Sequence, residues 1–116
     1  MREMSLPLCQ DKASLTVLVA DTWFDRLIGL IRFSGLDDKT ALWLKPCSSV
    51  HTMWMRFSID VVFLDANCKV LKIKENLVPF WFGVAPKGTD SVLEVAAHNA
   101  KRLGFAVNKT INLQQY

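Results

Sequence analysis

The sequence predicts a single, mainly β domain of the α+β class carrying two short helices, and three observations predict it. The chain has 116 residues, 51% of them apolar, which is enough for one buried core and too little for two. Short runs rich in β-branched residues recur along it and outnumber helical patterns by about three to one. Residues 58–75 read as a complete β-hairpin.

The elements follow in order. Residues 1–13 read as a loose N-terminal segment of the single domain that spans 1–116. Ser14-Leu-Thr-Val-Leu-Val-Ala20 is a strand: it is β-branched and too short for a stable helix. A helix start follows, with Thr22 as cap and Asp25 three residues on, and Trp23, Leu27, Leu30 and Ile31 recur on one face. Gly29 inside it costs about 1 kcal/mol relative to alanine, which suggests a close approach by another element. Residues 34–38 have turn chemistry, and residues 41–45 form a short strand stopped by Pro46.

In the hairpin, Ile59-Asp60-Val61-Val62-Phe63-Leu64 is one strand and Asp65-Ala66-Asn67 the turn. Residues 69–74 are the second strand, whose Leu71 and Ile73 alternate with lysines and leave one face wet. Pro79-Phe80-Trp81-Phe82-Gly83 is a dense aromatic patch in a loop-like region, read as a core plug rather than an exposed binding lip. A turn at 85–89 precedes a strand at 91–95, then a short helix at 97–103 ended by Gly104, then a last strand at 110–113.

Composition narrows the function classes. The 14 basic and 11 acidic residues are scattered, with no basic stripe interleaved with aromatics, so nucleic acid is not an expected partner. Three widely spaced cysteines, Cys9, Cys47 and Cys68, form no Cys-x-x-Cys pair and suit reduced thiols in the cytoplasm. The first residues lack the apolar block of a signal peptide, and no segment approaches the roughly eighteen apolar residues of a membrane span. A cytoplasmic protein with no membrane span is the expectation. The oligomeric state is open.

The order of four motifs resembles a known family. Ala20-x-Thr22, Arg26-Leu27-x-Gly29-Leu30, Ile59-Asp60-Val61-x-Phe63-Leu64-Asp65, and Val92-Leu93-Glu94 followed by Leu103-Gly104 are similar to motifs of the small bacterial proteins grouped as domain of unknown function 192. The resemblance runs from about residue 20 to about residue 113. It implies a sandwich-like or barrel-like β domain with short helices, and it brings no established activity. Many relatives carry Trp-Met-Lys-Asn-Thr ahead of the aspartate, where this chain has His51-Thr52-Met53-Trp54-Met55, so the resemblance places it in a variant subgroup. A glycine expected after the Val-Leu-Glu motif is replaced near His98.

The densest chemistry lies between residues 46 and 65, where Cys47, Ser48, Ser49, His51, Thr52, Arg56 and Asp60 supply a thiol, hydroxyls, an imidazole, a cation and a carboxylate. A structural account covers most of it. His51 and Thr52 would satisfy loop backbone, Arg56 would pair with Asp60, and Met53, Trp54 and Met55 would fill the core. A metal centre would have to gather Cys47, His51, Asp60 or His98, at spacings that match no standard pattern, and no cofactor is expected. A small hydrolase-like or metal-dependent enzyme using Cys47 and His51 is the alternative, for which no orienting third group is evident. Arg26 is better explained by an internal ion pair with Asp60 or Glu94 than by an anionic ligand.

The leading expectation is therefore a non-catalytic binding or scaffold module. Its pocket would lie near His51 and Asp60, with Arg26, Thr52, Met55 and Glu94 as further ligand-binding candidates. Its partner would be a small ligand or a protein.

Overall fold

The computed structural model describes residues 2–7, 14–20, 36–47, 49–51, 57–78 and 82–113. Eight strands lie in this part: β1 (Arg2–Pro7), β2 (Ser14–Ala20), β3 (Thr40–Leu44), β4 (Ser49–His51), β5 (Ile59–Leu64), β6 (Val70–Leu77), β7 (Phe82–Val84) and β8 (Ser91–Ala96). Six of them form one mixed sheet in the order β1-β2-β3-β8-β5-β6, and β4 pairs with β7 in a separate two-stranded ribbon. The sheet is open, with β1 and β6 at its edges. Only β2 and β3 run parallel; every other neighbouring pair is antiparallel.

The burial of each strand explains its composition. β3, β5 and β8 are central and covered on both faces, so they read as nearly continuous apolar runs. β2 alternates exposed and buried residues over its first four positions, with Leu15, Val17 and Val19 turned inward. Edge strand β6 carries the exposed Lys72, a left-handed Asn76 and a register shift against β5, all devices that discourage pairing with another chain.

The two faces of the sheet carry separate cores. On one, Met4, Leu15, Val17, Val19, Trp43, Val62, Leu64 and Leu93 pack with Ala100, Phe105, Ile111 and Leu113 from the C-terminal segment. On the other, Ala20, Leu42, Leu44, Ile59, Val61, Phe63, Leu77 and Val92 pack together. Leu36, Cys47, Phe57 and Ala85 close onto them.

Several expectations change. The N-terminal segment read as loose contains β1, which pairs with β2 over six consecutive residues and buries Met4 and Leu6. The ribbon strands β4 and β7 occupy positions read as loop. The helix expected at 97–103 is a succession of turns in which one i to i−4 bond forms, Leu103 N–H to Asn99 O, at 3.0 Å. It stops at Gly104, whose φ of 87° only glycine adopts freely. Bonds from Gly104 N–H to Lys101 O and from Phe105 N–H to Ala100 O close the turn in a Schellman arrangement. The strand expected at 110–113 reduces to one bridge between Thr110 and Lys69. No helix lies among the described residues, and the helix expected after Thr22 falls outside them.

The hairpin forms as expected from β5 and β6. Asp65 builds its turn: its Oδ1 accepts from Asn67 N–H and Lys69 N–H, both at 2.9 Å, and Cys68 adopts a φ of 61°.

Candidate functional site

Asp60 sits in β5 between Ile59 and Val61, with no exposed surface. Strand alternation turns it toward the Trp43 face, because Ile59 and Val61 both belong to the opposite core. There its carboxylate accepts three backbone N–H groups. Oδ1 takes Asn76 at 2.8 Å and His98 at 2.9 Å, and Oδ2 takes Ala100 at 3.0 Å. Two of the donors are residues in left-handed backbone, Asn76 with φ 53° and His98 with φ 64°. Asp60 thus ties the bulge in β6 to the turns that follow β8, and serves those turns as an N-cap would from 38 and 40 residues away. Donors that bind the charged form so fully mark a structural carboxylate.

His98 explains the missing glycine. The backbone there keeps the left-handed conformation, and the exposed imidazole side chain tolerates it at the cost an L-residue incurs. His98→Gly is expected to stabilise the fold by about 1 kcal/mol, read as a higher urea midpoint with an unchanged slope, because the N–H to Asp60 survives while the strain is relieved.

Glu94 faces the other way. In β8 it pairs with Leu42 of β3 and with Val61 of β5, so all three point onto the second core. The registers extend this row to Leu18 on β2 and Lys74 on β6. The row on one side holds Ala20, Leu44, Val92, Phe63 and Lys72, and Ala96 and Ile59 lie on the other. Glu94 is 5% exposed at the centre of this apolar field, and no hydrogen-bond donor or cation among the described residues reaches its carboxyl. Burial pushes its pKa up to about 8, so the group holds its proton at neutral pH. A buried carboxylic acid of this kind can donate one hydrogen bond, accept others, or give up its proton to pair with a cation.

The flanks of two chain segments that carry other candidates close onto this same face. Ala20 and Leu36 bracket residues 21–35, which include Arg26; Cys47 and Phe57 bracket residues 48–56, which include His51, Thr52 and Met55. His51 ends β4 with its backbone opposite Phe82, and its side chain is outside the described part. Arg26, Thr52, Met55 and Arg56 lie outside the described residues altogether. Cys47 is half-buried, donates its N–H to Asp90 O at 2.9 Å, and lines a shallow cleft of about 210 Å³ with Pro46, Thr89 and Asp90.

The sequence therefore grouped residues that the fold separates. Asp60 and Glu94 belong to neighbouring strands yet occupy opposite faces, so no single pocket in the sheet uses both carboxyls. His98 stands on the Asp60 side of the sheet and Cys47 packs against the Glu94 face. Among the described residues no three of His, Cys, Asp and Glu gather as a metal site would require, and no helix is long and apolar enough to cross a membrane.

Two solved structures share the fold. A protein of unknown function from Novosphingobium aromaticivorans DSM 12444 superposes with a TM-score of 0.80 at 20% identity, over 95% of this chain and 83% of that one. A protein from Sinorhizobium meliloti 1021, described as a "putative transcription regulator", superposes with a TM-score of 0.76 at 21% identity, over 90% of this chain and 86% of that one. At these identities the likeness extends to the fold alone. No curated protein matches the chain. The DUF192 pattern, described as uncharacterized ACR, matches residues 6–113, nearly the whole chain and five of the six strands of the main sheet in full, and on that ground the protein belongs to the DUF192 family.

Proposed function

We propose that this protein is a non-catalytic binding domain whose site is the sheet face centred on Glu94. The observation that carries the reading is the placement of that one carboxyl. It stands 5% exposed among the apolar side chains of the second core, where burial raises its pKa to about 8. A group so placed weakens the fold relative to leucine, so its presence is best explained by something it binds. Apolar walls with one convergent polar group are also the ordinary composition of a small-molecule site. Leu36, Cys47 and Phe57, which flank the segments bearing Arg26 and His51, Thr52 and Met55, pack against this core, and on that ground those residues are kept as candidates. Asp60 is left out of it, because its oxygens already hold three backbone donors.

The test is a fragment screen on ¹⁵N-labelled protein with acidic, basic and neutral compounds. Saturable shifts are expected to converge on the amides of Leu42, Val61, Val92 and Glu94. Binders that converge elsewhere, or none that saturate, would overturn the assignment.

A further inference from the structure

We propose that the cavity between edge strand β1 and the C-terminal segment binds a small organic monocarboxylate, with its apolar tail among Leu6, Phe105 and Ile111 and its carboxylate on Lys109. Leu6, Phe105 and Ile111 belong to the core opposite Glu94, so this site is separate from the one proposed above and does not rest on it.

The cavity exists because the sheet stays open. The C-terminal segment reaches both edges: Thr110 bridges to Lys69 just ahead of β6, and the same segment meets Leu6 and Pro7 of β1 around a cavity of about 230 Å³. Leu103, Phe105, Ala106 and Ile111 complete the apolar wall. Protein interiors hold few voids larger than a water molecule, and an apolar cavity of roughly 150 Å³ already admits benzene. This one therefore has room for a short alkyl chain or a single ring.

The wall is built in advance. Val70 N–H donates to Lys109 O and Ile111 N–H to Cys68 O, both at 2.9 Å, and Asn108, with a φ of 72°, donates its N–H to Val70 O at 2.8 Å. The turn at Gly104 fixes the start of the same segment. A ligand entering here orders little chain, which favours its binding.

Charge selects the ligand. Lys109 is the one charged residue that lines the cavity among the described residues, and no carboxylate among them reaches it. Cations earlier in the segment differ: Lys101 meets Glu75 at 3.5 Å and Arg102 meets Asp38 at 3.6 Å. The bonds from Val70 and Ile111 make Thr110 and Lys69 a non-hydrogen-bonded pair, so the N–H and C=O of Thr110 turn away from Lys69. Thr110 and Asn112 line the cavity beside Lys109 and add a hydroxyl and an amide to its ammonium. Donors above an apolar wall suit a carboxylate, which is an acceptor at both oxygens. An amine would bring like charge to Lys109, an alcohol gains no charge-assisted bond, and a phosphate monoester brings nearly two negative charges to one lysine.

Hexanoate, hexan-1-ol and hexylamine share one apolar body and differ only at the end that would meet Lys109. Titrated into ¹⁵N-labelled full-length protein at pH 7, hexanoate is expected to give saturable shifts at the amides of Leu103, Phe105, Ala106, Lys109, Thr110 and Ile111, and to bind about fivefold more tightly than hexanol, with hexylamine weaker still. Lys109→Met, at an exposed position that leaves the fold intact, should lower hexanoate affinity about fivefold and leave hexanol unchanged, whereas Lys109→Arg should retain it. Hexanol matching hexanoate, or hexanoate binding unchanged in Lys109→Met, would overturn the carboxylate assignment. Hexanoate shifts that fail to saturate, or that fall on other amides, would overturn the site itself. The Glu94 face reports through the amides of Leu42, Val61, Val92 and Glu94, so either site can fail while the other stands.

Discussion

Asp60→Ala is expected to destabilise the protein by about 4 kcal/mol, the largest loss of any single side chain discussed here, because three interactions fail together. The carboxylate holds Asn76, His98 and Ala100 by their backbone N–H groups, at 2.8, 2.9 and 3.0 Å, from a site with no exposed surface. A hydrogen bond to a charged acceptor contributes about 1.5–3 kcal/mol, and a buried donor left unsatisfied costs about 1–3 kcal/mol. These terms overlap and do not simply add, since the turns at 97–104 can relax toward water once released. Asp60→Asn should cost less, about 2 kcal/mol, because one amide oxygen still accepts while the amide nitrogen opposes an N–H. Urea unfolding gives the totals. Amide hydrogen exchange identifies the cause: Asn76, His98 and Ala100 should lose protection together in the alanine variant. A loss below about 1 kcal/mol, or exchange unchanged at those three amides, would show that the carboxylate does not hold them.

The same residue shows what could and could not be read from the chain. Strands β2 and β5 were legible to their end residues, since β-branched runs bounded by turns leave little choice of conformation. The turn at Asp65 was legible for a similar reason, its side chain bonding to nearby backbone. Strand β1 was missed although Met4 and Leu6 alternate with Glu3 and Ser5, because the pattern is short and ends in proline, and its stability comes from pairing with β2. The helix expected at 97–103 failed through a long-range effect. Asp60 captures the N–H groups of His98 and Ala100 from a strand about forty residues earlier, and this fixes the segment as turns. Local propensity contains no trace of that contact.

The candidate site divides along the same line. A lone acid inside Val-Leu-Glu-Val-Ala is conspicuous, so Glu94 was identifiable as unusual. Its separation from Asp60 was not identifiable, because it depends on the register by which Val61 opposes Glu94 and Asp60 opposes Val95. Shifting that pairing by one residue would place both carboxyls on one face, and only the assembled sheet excludes it.

Glu94 should make the stability of the protein fall as pH rises, opposite to the usual behaviour of a carboxylate. Its pKa is pushed from 4.5 to about 8 by burial, so between these values the unfolded chain has released the proton and the folded chain retains it. Ionisation then favours the unfolded state. The contribution of Glu94 is complete below about pH 4.5, declines by roughly 1.4 kcal/mol per pH unit through the window, and is lost above about pH 8. Glu94→Gln cannot ionise and should remove this slope. Glu94→Leu also removes the polar group from a face formed by Leu42, Val61 and Val92, and should exceed the native protein in stability at pH 7 and more so at pH 8. Urea midpoints for the three proteins at pH 5, 6, 7 and 8 decide the matter through difference curves, in which the other titrating groups cancel. If native protein and Glu94→Gln run parallel from pH 5 to 8, Glu94 is charged in the fold or paired there, and the argument for a proton-holding site fails. If they diverge as pH rises, with native protein the less stable at pH 8, the acid carries a measurable cost at physiological pH.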